Sequence, residues 1–179
     1  ICPKMEIPDV VAAGWSYEVI GHEDTENAWD IVAKAVQARN VAFNTLAIEK
    51  SHLTVERFEA IQERFETLKF TNIDEKVNAL RISKDEDELV KLRKAAQLAD
   101  FAIQVGCDAI AEGRTEMEIL NKIESAVKAK GHAMSFSTMV LAGEKTASPH
   151  GTPGDRKIQK GDFILFDLCV IYEGYRSDI

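Results

Sequence analysis

Two aspartates near the end of the sequence have the residue types and the spacing that could bind a metal ion. Asp167 interrupts the apolar run 163–171, so its carboxylate is expected to be buried, where it needs a cation, hydrogen bonds or a proton. Glu173 and Gly174 predict a two-residue hairpin turn, in which the glycine takes a positive φ. That turn would fold the segment containing Asp178 back beside Asp167.

The register of this hairpin decides how far apart the two carboxylates lie. A two-residue turn predicts three cross-strand pairs: Tyr172 with Tyr175, Val170 with Ser177, and Cys169 with Asp178. Asp167 and Asp178 are then diagonal neighbours on one face, about 7–8 Å apart at the backbone. Like charges at this distance repel unless a cation joins them, and hard divalent ions prefer oxygen ligands. By geometry alone, a solvated edge aspartate at position 167, a turn aspartate at 178 or a structural calcium site remains open.

A third candidate is His150, which lies in the polar stretch Ala-Ser-Pro-His-Gly-Thr-Pro-Gly. A histidine between proline and glycine packs into a core less readily than one on a helix, and loops of this kind often carry binding or catalytic groups. The other histidines, expected at the surface or at helix caps, are His22, His52 and His132. His150 is therefore the candidate catalytic residue.

The first 82 residues are predicted to form an N-terminal domain. Strand-like segments alternate with helical ones, which predicts a mostly parallel sheet with helices packed on it and an α/β class. The predicted segments are a helix that follows Asp24-Thr25 and runs to about Arg39, a strand Leu46–Ile48, a helix from Thr54 to about Phe65 and a strand Leu68–Phe70.

From residue 83 the pattern changes to two helices followed by strands, which predicts an α+β domain over 83–179. Ser83 and Glu86 predict a capping box that opens a helix reaching about Glu112, and Thr115 and Glu118 predict a second box. The helix after Thr115 should end at a glycine in the C′ position, Gly131. Strands are expected over 134–141 and 163–171, separated by a polar stretch. The predicted domain boundary lies near residues 80–84.

Composition limits the class of protein. The 179 residues carry 22 Lys and Arg against 30 Asp and Glu, a net charge of −8, which argues against a general nucleic-acid binder. No apolar run approaches the roughly 18 residues that span a bilayer. Three scattered cysteines favour a reducing compartment over a disulfide framework. We therefore expect a cytoplasmic globular protein without a membrane or nucleic-acid partner. A start at Ile1 and a stop at Ile179 inside apolar elements predict a piece of a longer polypeptide.

The segment Leu-Phe-Asp-Leu-Cys-Val-Ile-Tyr-Glu-Gly-Tyr-Arg-Ser-Asp-Ile resembles the first half of the metal-site signature of the creatinase, aminopeptidase P and Xaa-Pro dipeptidase family. The Pro-His-Gly loop at His150 and the upstream Ser135-Phe136 resemble that family too. Residues 83–89 resemble the start of its pita-bread catalytic domain, and 1–82 are similar to its creatinase/prolidase N-terminal domain. The chain is thus expected to hold that α/β domain and the first half of an α+β pita-bread domain, and is most like a bacterial-type Xaa-Pro dipeptidase.

This resemblance implies a metallopeptidase that cleaves the peptide bond preceding proline. Asp167 would hold one of two divalent ions (manganese, cobalt or zinc), Asp178 would bridge both, and His150 would position the scissile peptide or stabilise its developing charge. The implied partners are a small peptide with proline after its N-terminal residue and a second copy in a homodimer. The family completes its site with a His and two Glu ligands further along, so residues 1–179 alone are expected to be inactive.

Three other functions stay open at this point. One is aminopeptidase P activity, which differs in how the far end of the substrate is accommodated. Another is a creatinase-like hydrolase that works without metal, although retention of both Asp167 and Asp178 argues against it. The last is a pita-bread domain that has lost catalysis and binds other proteins. Hydrolysis of Xaa-Pro peptides with and without a chelator discriminates among them.

Overall fold

The computed structural model describes all 179 residues and divides them into two compact units, 1–83 and 84–179. The helices in chain order are α1 Ile7–Ala12, α2 Ala28–Ala38, α3 Val55–Arg64, α4 Asp74–Ile82, α5 Glu86–Ala109 and α6 Glu116–Ala129. The strands are β1 Cys2–Pro3, β2 Gly21–His22, β3 Thr45–Ile48, β4 Lys69–Asn72, β5 Ala133–Met134, β6 Met139–Ala142, β7 Ile164–Asp167, β8 Val170–Tyr172 and β9 Tyr175–Arg176. None of the six α-helices combines the length and the apolar composition that a membrane-spanning helix requires.

The first unit is an α/β structure with two parallel strand pairs, β1 with β2 and β3 with β4. Parallel pairing follows from the intervening helices, because a crossover returns the chain in the same direction. The predicted alternation of strands and helices is therefore confirmed. Helix α4 was not foreseen: its sequence, Asp-Glu-Lys-Val-Asn-Ala-Leu-Arg-Ile, has a short apolar pattern and no side-chain cap.

The second unit packs α5 and α6 against strands β5 to β9. β5, β8 and β9 form one antiparallel sheet and β6 and β7 another. Helix α5 approaches strand β7 closely at Gly106, where a Cβ would come within 2.8 Å of the Phe166 ring. The apolar core of this unit consists of Ala99, Ala102, Ala109, Ile119, Leu120, Ile123, Val127, Val140, Ala142, Ile158, Leu168 and Val170.

Local signals in this unit were confirmed in part. The capping box of Thr115 with Glu118 is present, and Gly131 follows α6 with φ +81°. The box predicted for Ser83 and Glu86 is wrong: Asp85 caps α5 instead. Its carboxylate accepts the Glu88 backbone N–H, and the Glu88 carboxylate in turn accepts the Asp85 backbone N–H. Ser83 with Glu86 and Asp85 with Glu88 both have the spacing that a capping box requires. Ser83, however, is the C-cap residue of α4 and so does not begin α5. Helix α5 also stops at Ala109, three residues before the predicted end.

The two predicted long strands are each divided. Residues 135–138 separate β5 from β6, and Leu168 and Cys169 separate β7 from β8. Apolar content continues through both breaks, so the hydrophobic pattern could not reveal them. The second break is important because it moves β8 from the sheet of β7 to that of β5 and β9.

Candidate metal centre

Asp167 is the last residue of β7, where the strand leaves its partner β6. It lies opposite Met139 in the antiparallel register, and its side chain is half-buried. The carboxylate forms no hydrogen bond and no ion pair with another side chain. Burial of an uncompensated carboxylate is costly. The Asp167 carboxylate therefore has no cationic partner within the chain and is available to bind one.

The hairpin that brings Asp178 back has the predicted register. Tyr172 pairs with Tyr175 across a turn in which Glu173 and Gly174 have φ +46° and +83°. Two left-handed residues in a two-residue loop are the mark of a type I′ turn, whose twist matches that of the strands.

Backbone hydrogen bonds extend this register to the end of the chain. Ser177 donates its N–H to the carbonyl of Val170 at 3.1 Å, and Leu168 and Ile179 exchange two bonds of 3.0 and 3.2 Å. In an antiparallel ladder the residues between two such pairs face each other without hydrogen bonds. Cys169 therefore lies opposite Asp178, and Asp167 is its diagonal neighbour.

The hydrogen bonding of the hairpin is irregular at Ser177. Its hydroxyl accepts the Val170 N–H at 2.9 Å, the bond that its carbonyl would take in a regular ladder. That carbonyl instead accepts a contact from the buried Cys169 thiol. Cys169 is thus a packed residue that hydrogen-bonds locally and is not a candidate nucleophile or soft-metal ligand.

The structure brings the two aspartates into one cavity. Asp167 and Asp178 both line an open cavity of about 470 Å³, together with Pro149 and Ile179. The Asp178 carboxylate is exposed and, like that of Asp167, has no ion-pair partner. Two uncompensated oxygen donors on one cavity suit a hard divalent cation.

His150 enters the site from a different segment. It is exposed and lines an adjoining cavity of about 340 Å³ with Asp167, but it does not share a cavity with Asp178. No other side chain holds its imidazole. Asp167 thus lines both cavities, whereas His150 and Asp178 each line one of them. His150 is available to a ligand rather than engaged in the core.

The donor set within residues 1–179 is incomplete for a metal ion. No group of three or more His, Cys, Asp or Glu side chains in this chain could hold one. Even an open catalytic zinc site keeps three protein ligands. Residues 1–179 therefore do not form a complete metal site by themselves.

Residues 142–162, which carry His150, contain an ion-pair cluster that the sequence did not reveal. The Arg156 guanidinium contacts Asp162 at 2.7 and 3.2 Å and Glu144 at 2.8 and 3.0 Å. Hydrogen bonding to Arg156 lowers the pKa of both carboxyls below their usual range, and these bonds in turn raise the pKa of Arg156.

Glu116 is a second feature that sequence reasoning missed. Its side chain is fully buried at the start of α6. A signal was present, because Glu116 lies in step with the buried stripe of Ile119, Leu120, Ile123 and Val127 at helical spacing. An acidic residue in a core-facing position indicates a specific partner.

Comparisons with known proteins identify the family of both parts of this chain. The model of metallopeptidase family M24 matches residues 90–179, and that of the creatinase/prolidase N-terminal domain matches 1–83. YkvY of Bacillus subtilis, which carries a provisional dipeptidase name, is 45% identical over 180 residues, all of this chain and 50% of its own length.

Solved structures are similar over nearly the whole chain. An Xaa-Pro dipeptidase from Bacillus anthracis gives a TM-score of 0.87 at 30% identity, over 99% of this chain and 49% of its own. An X-Pro aminopeptidase from Thermotoga maritima gives 0.86 at 28%, over 99% and 50%. The chain thus spans about half the length of the relatives it matches. It belongs to metallopeptidase family M24 and combines a creatinase/prolidase N-terminal domain with the first part of the catalytic domain.

Proposed function

We propose that the full-length protein is a metal-dependent peptidase that cleaves the peptide bond before proline, with Xaa-Pro dipeptides as its substrates. One observation carries the proposal: in a chain of family M24, Asp167 and Asp178 face one cavity with no cation from the protein to neutralise them. The substrate class is supported by the Xaa-Pro dipeptidase from Bacillus anthracis, which is similar over 99% of this chain.

Asp167 and Asp178 would hold two divalent ions, with the remaining ligands supplied from outside residues 1–179. Carboxylate ligands suit manganese, and cobalt or zinc are the alternatives. When bound, such ions lower the pKa of water and polarise a peptide carbonyl. Asp167 contributes a fixed position, because it ends a strand whose four residues are all paired with β6. Asp178 depends on the hairpin register for its position.

His150 would bind the substrate beside this centre. Its imidazole is exposed, has no partner in the protein and lines a cavity with Asp167. An N–H from this ring can donate to the oxygen of the scissile peptide, where negative charge develops during attack by water. Pro149 and Gly151 flank the histidine. Pro149 restricts the backbone on the N-terminal side, and Gly151 permits close approach of the backbone on the C-terminal side. The role of His150 is to orient the peptide and stabilise that charge.

A second candidate is aminopeptidase P activity. The X-Pro aminopeptidase from Thermotoga maritima is as similar in fold as the dipeptidase. The two activities differ in whether residues may follow the proline. The part of the substrate pocket that lies beyond the proline therefore decides between them. The homodimer implied by the sequence resemblance and the cytoplasmic location expected from composition remain predictions.

Hydrolysis by the full-length protein tests the proposal. We expect it to cleave an Xaa-Pro dipeptide with manganese and to lose activity with a chelator, while a longer Xaa-Pro-Yaa peptide is left intact. Cleavage of the longer peptide would favour aminopeptidase P. No cleavage with any divalent metal would contradict the peptidase assignment and favour a protein-binding module. Residues 1–179 alone should bind metal weakly, and calorimetry showing a tight two-ion site in them would contradict that expectation.

Substitutions test the residue assignments. Asp178→Asn should lower kcat/KM by more than about 100-fold, since loss of an outer-shell partner of a metal already costs 10–100-fold. His150→Ala should lower it by about 100- to 1,000-fold, the effect of removing one donor to a developing charge. The control variants Asp100→Asn and His52→Ala change exposed residues outside the site. Unchanged activity in Asp178→Asn, or equal losses in the controls, would contradict the assignments.

A further inference from the structure

The buried Glu116 carboxylate binds three segments that surround the His150 loop. Its Oε1 accepts the backbone N–H of Ala142 at 2.8 Å, and its Oε2 accepts the N–H of Gly154 at 2.9 Å. Oε2 also forms an ion pair with the Lys145 ammonium. These bonds satisfy both carboxylate oxygens inside the protein, as a buried charge requires.

Each of these partners lies at a defined point of one stretch of chain. Ala142 ends strand β6, Lys145 lies in the short 3-10 helix Gly143–Ala147, and Gly154 follows the loop that carries His150. Lys145 also donates to the carbonyl of Thr152 at 3.0 Å. The ends of the segment 142–154 are therefore joined through one carboxylate and one ammonium, and the intervening loop is closed around them.

The same contacts connect this loop to Asp167. Strand β6, which ends at Ala142, pairs along its length with β7, which ends at Asp167. A shift of the Glu116 side chain would therefore move the loop relative to the strand, and His150 relative to Asp167. Residues 148–153 contain no helix or strand and His150 itself is exposed, so the position of the loop depends on contacts nearer the ends of the segment. Besides the Glu116 contacts, these include the ion pair of Glu144 with Arg156.

We propose that Glu116, through Lys145, is a positioning residue that fixes the His150 loop against the strand carrying Asp167. This inference rests on the proposed function for its catalytic consequence. Glu116 is fully buried on the core side of α6 and does not line either cavity of the site, so it acts through His150 rather than on the substrate.

Glu116→Gln is the informative substitution because it keeps the shape and removes the charge. A carboxamide offers one acceptor oxygen in place of two and turns an N–H₂ group towards a donor. At least one of the backbone N–H groups or the Lys145 ammonium then loses its acceptor. Glu118→Gln is the matched control: it makes the same change two residues along α6, at an exposed capping position where glutamine is also accepted.

Hydrogen exchange measured by mass spectrometry on the full-length protein reports the loop directly. We expect faster exchange in residues 142–154 for Glu116→Gln, with α5 unchanged, and the wild-type pattern for Glu118→Gln. Equal exchange in the two variants would overturn the proposal. If Glu116→Gln fails to fold, Lys145→Met replaces it, since it leaves Glu116 its two backbone donors. This measurement tests whether Glu116 holds the loop in place, even if the protein cleaves no Xaa-Pro peptide.

Kinetics then separate positioning from general destabilisation. A displaced catalytic group lowers the rate steeply, so Glu116→Gln should reduce kcat by about 10- to 100-fold with little change in KM. The loss should disappear in a His150→Ala background, because two residues that act through one group are not additive. A full additional loss in the double variant, or an unchanged kcat in the single variant, would show that Glu116 does not act through His150.

Discussion

The two sides of the candidate centre are held in place by different physical means. We call residues 164–179 the hairpin arm, which carries Asp167 and Asp178, and residues 142–162 the loop arm, which carries His150. The hairpin arm is fixed by backbone hydrogen bonds, by the Ser177 hydroxyl that accepts the Val170 N–H, and by a turn with two left-handed residues. The loop arm is fixed by side-chain ion pairs from Glu116, Lys145 and Arg156. Accordingly, the hairpin arm should respond to backbone changes and the loop arm to changes of charge.

The largest effect on stability is expected in the hairpin arm at Ser177. Ser177→Ala removes the acceptor of the buried Val170 N–H, and an unsatisfied buried donor costs about 1–3 kcal/mol. Urea unfolding of the full-length protein measures the loss. Ser125→Ala on the exposed side of α6 is the control, and surface changes of this kind stay within about 0.5 kcal/mol. Equal stability of the two variants would mean that the Ser177 hydroxyl is not needed for the register.

A smaller effect is expected from paired glycine substitutions, one in each arm. Gly174→Ala places a side chain at φ +83°, a conformation that costs an L-residue about 1–2 kcal/mol. Gly154→Ala in the loop arm has no positive φ, and its Cβ would meet only the Lys145 ammonium at 3.6 Å, an ordinary contact. We expect a lower unfolding midpoint for Gly174→Ala alone. A larger loss in Gly154→Ala would contradict the contrast between the arms.

The smallest effect should be a dependence of the loop arm on pH. Because Arg156 lowers the pKa of Asp162 and Glu144, their ionised forms stabilise the fold. This contribution is fully present above their ordinary pKa values near 4 and is lost as the pH falls through the lowered values. Hydrogen exchange in residues 142–162 should therefore be faster in Arg156→Met than in wild type at pH 7, and the difference should shrink at pH 3.

The exposed Arg81 on α4 supplies a control for that experiment. Arg81→Met removes the same charge but should leave exchange in the loop arm unchanged at every pH. The hairpin arm should not follow the pH dependence of the loop arm, since its register depends on backbone bonds. A difference between Arg156→Met and wild type that persists unchanged below pH 3 would show that packing of the Arg156 side chain, rather than its charge pairs, orders the loop.

Prediction from sequence succeeded where short-range rules apply. Glu173 and Gly174 specify their turn by local conformational preference, and a two-residue turn fixes every pair of the hairpin as far as Ile179. The box of Thr115 with Glu118 was equally local. The box at Ser83 failed because two overlapping acidic tetrads satisfy the same rule, and only the end of α4 selects between them.

The sequence by itself determined the α/β and α+β classes, the family resemblance and the hairpin that carries Asp167 and Asp178. Each of these follows from periodicity, turn chemistry or a contiguous motif. Only the tertiary structure decided which segments hold His150, because Glu116 and Lys145 are 29 positions apart and their pairing depends on how α6 packs beside β6. Side-chain charges have no fixed partner along the chain. Their pairing is set when burial removes water and leaves each charge only the partners that packing supplies.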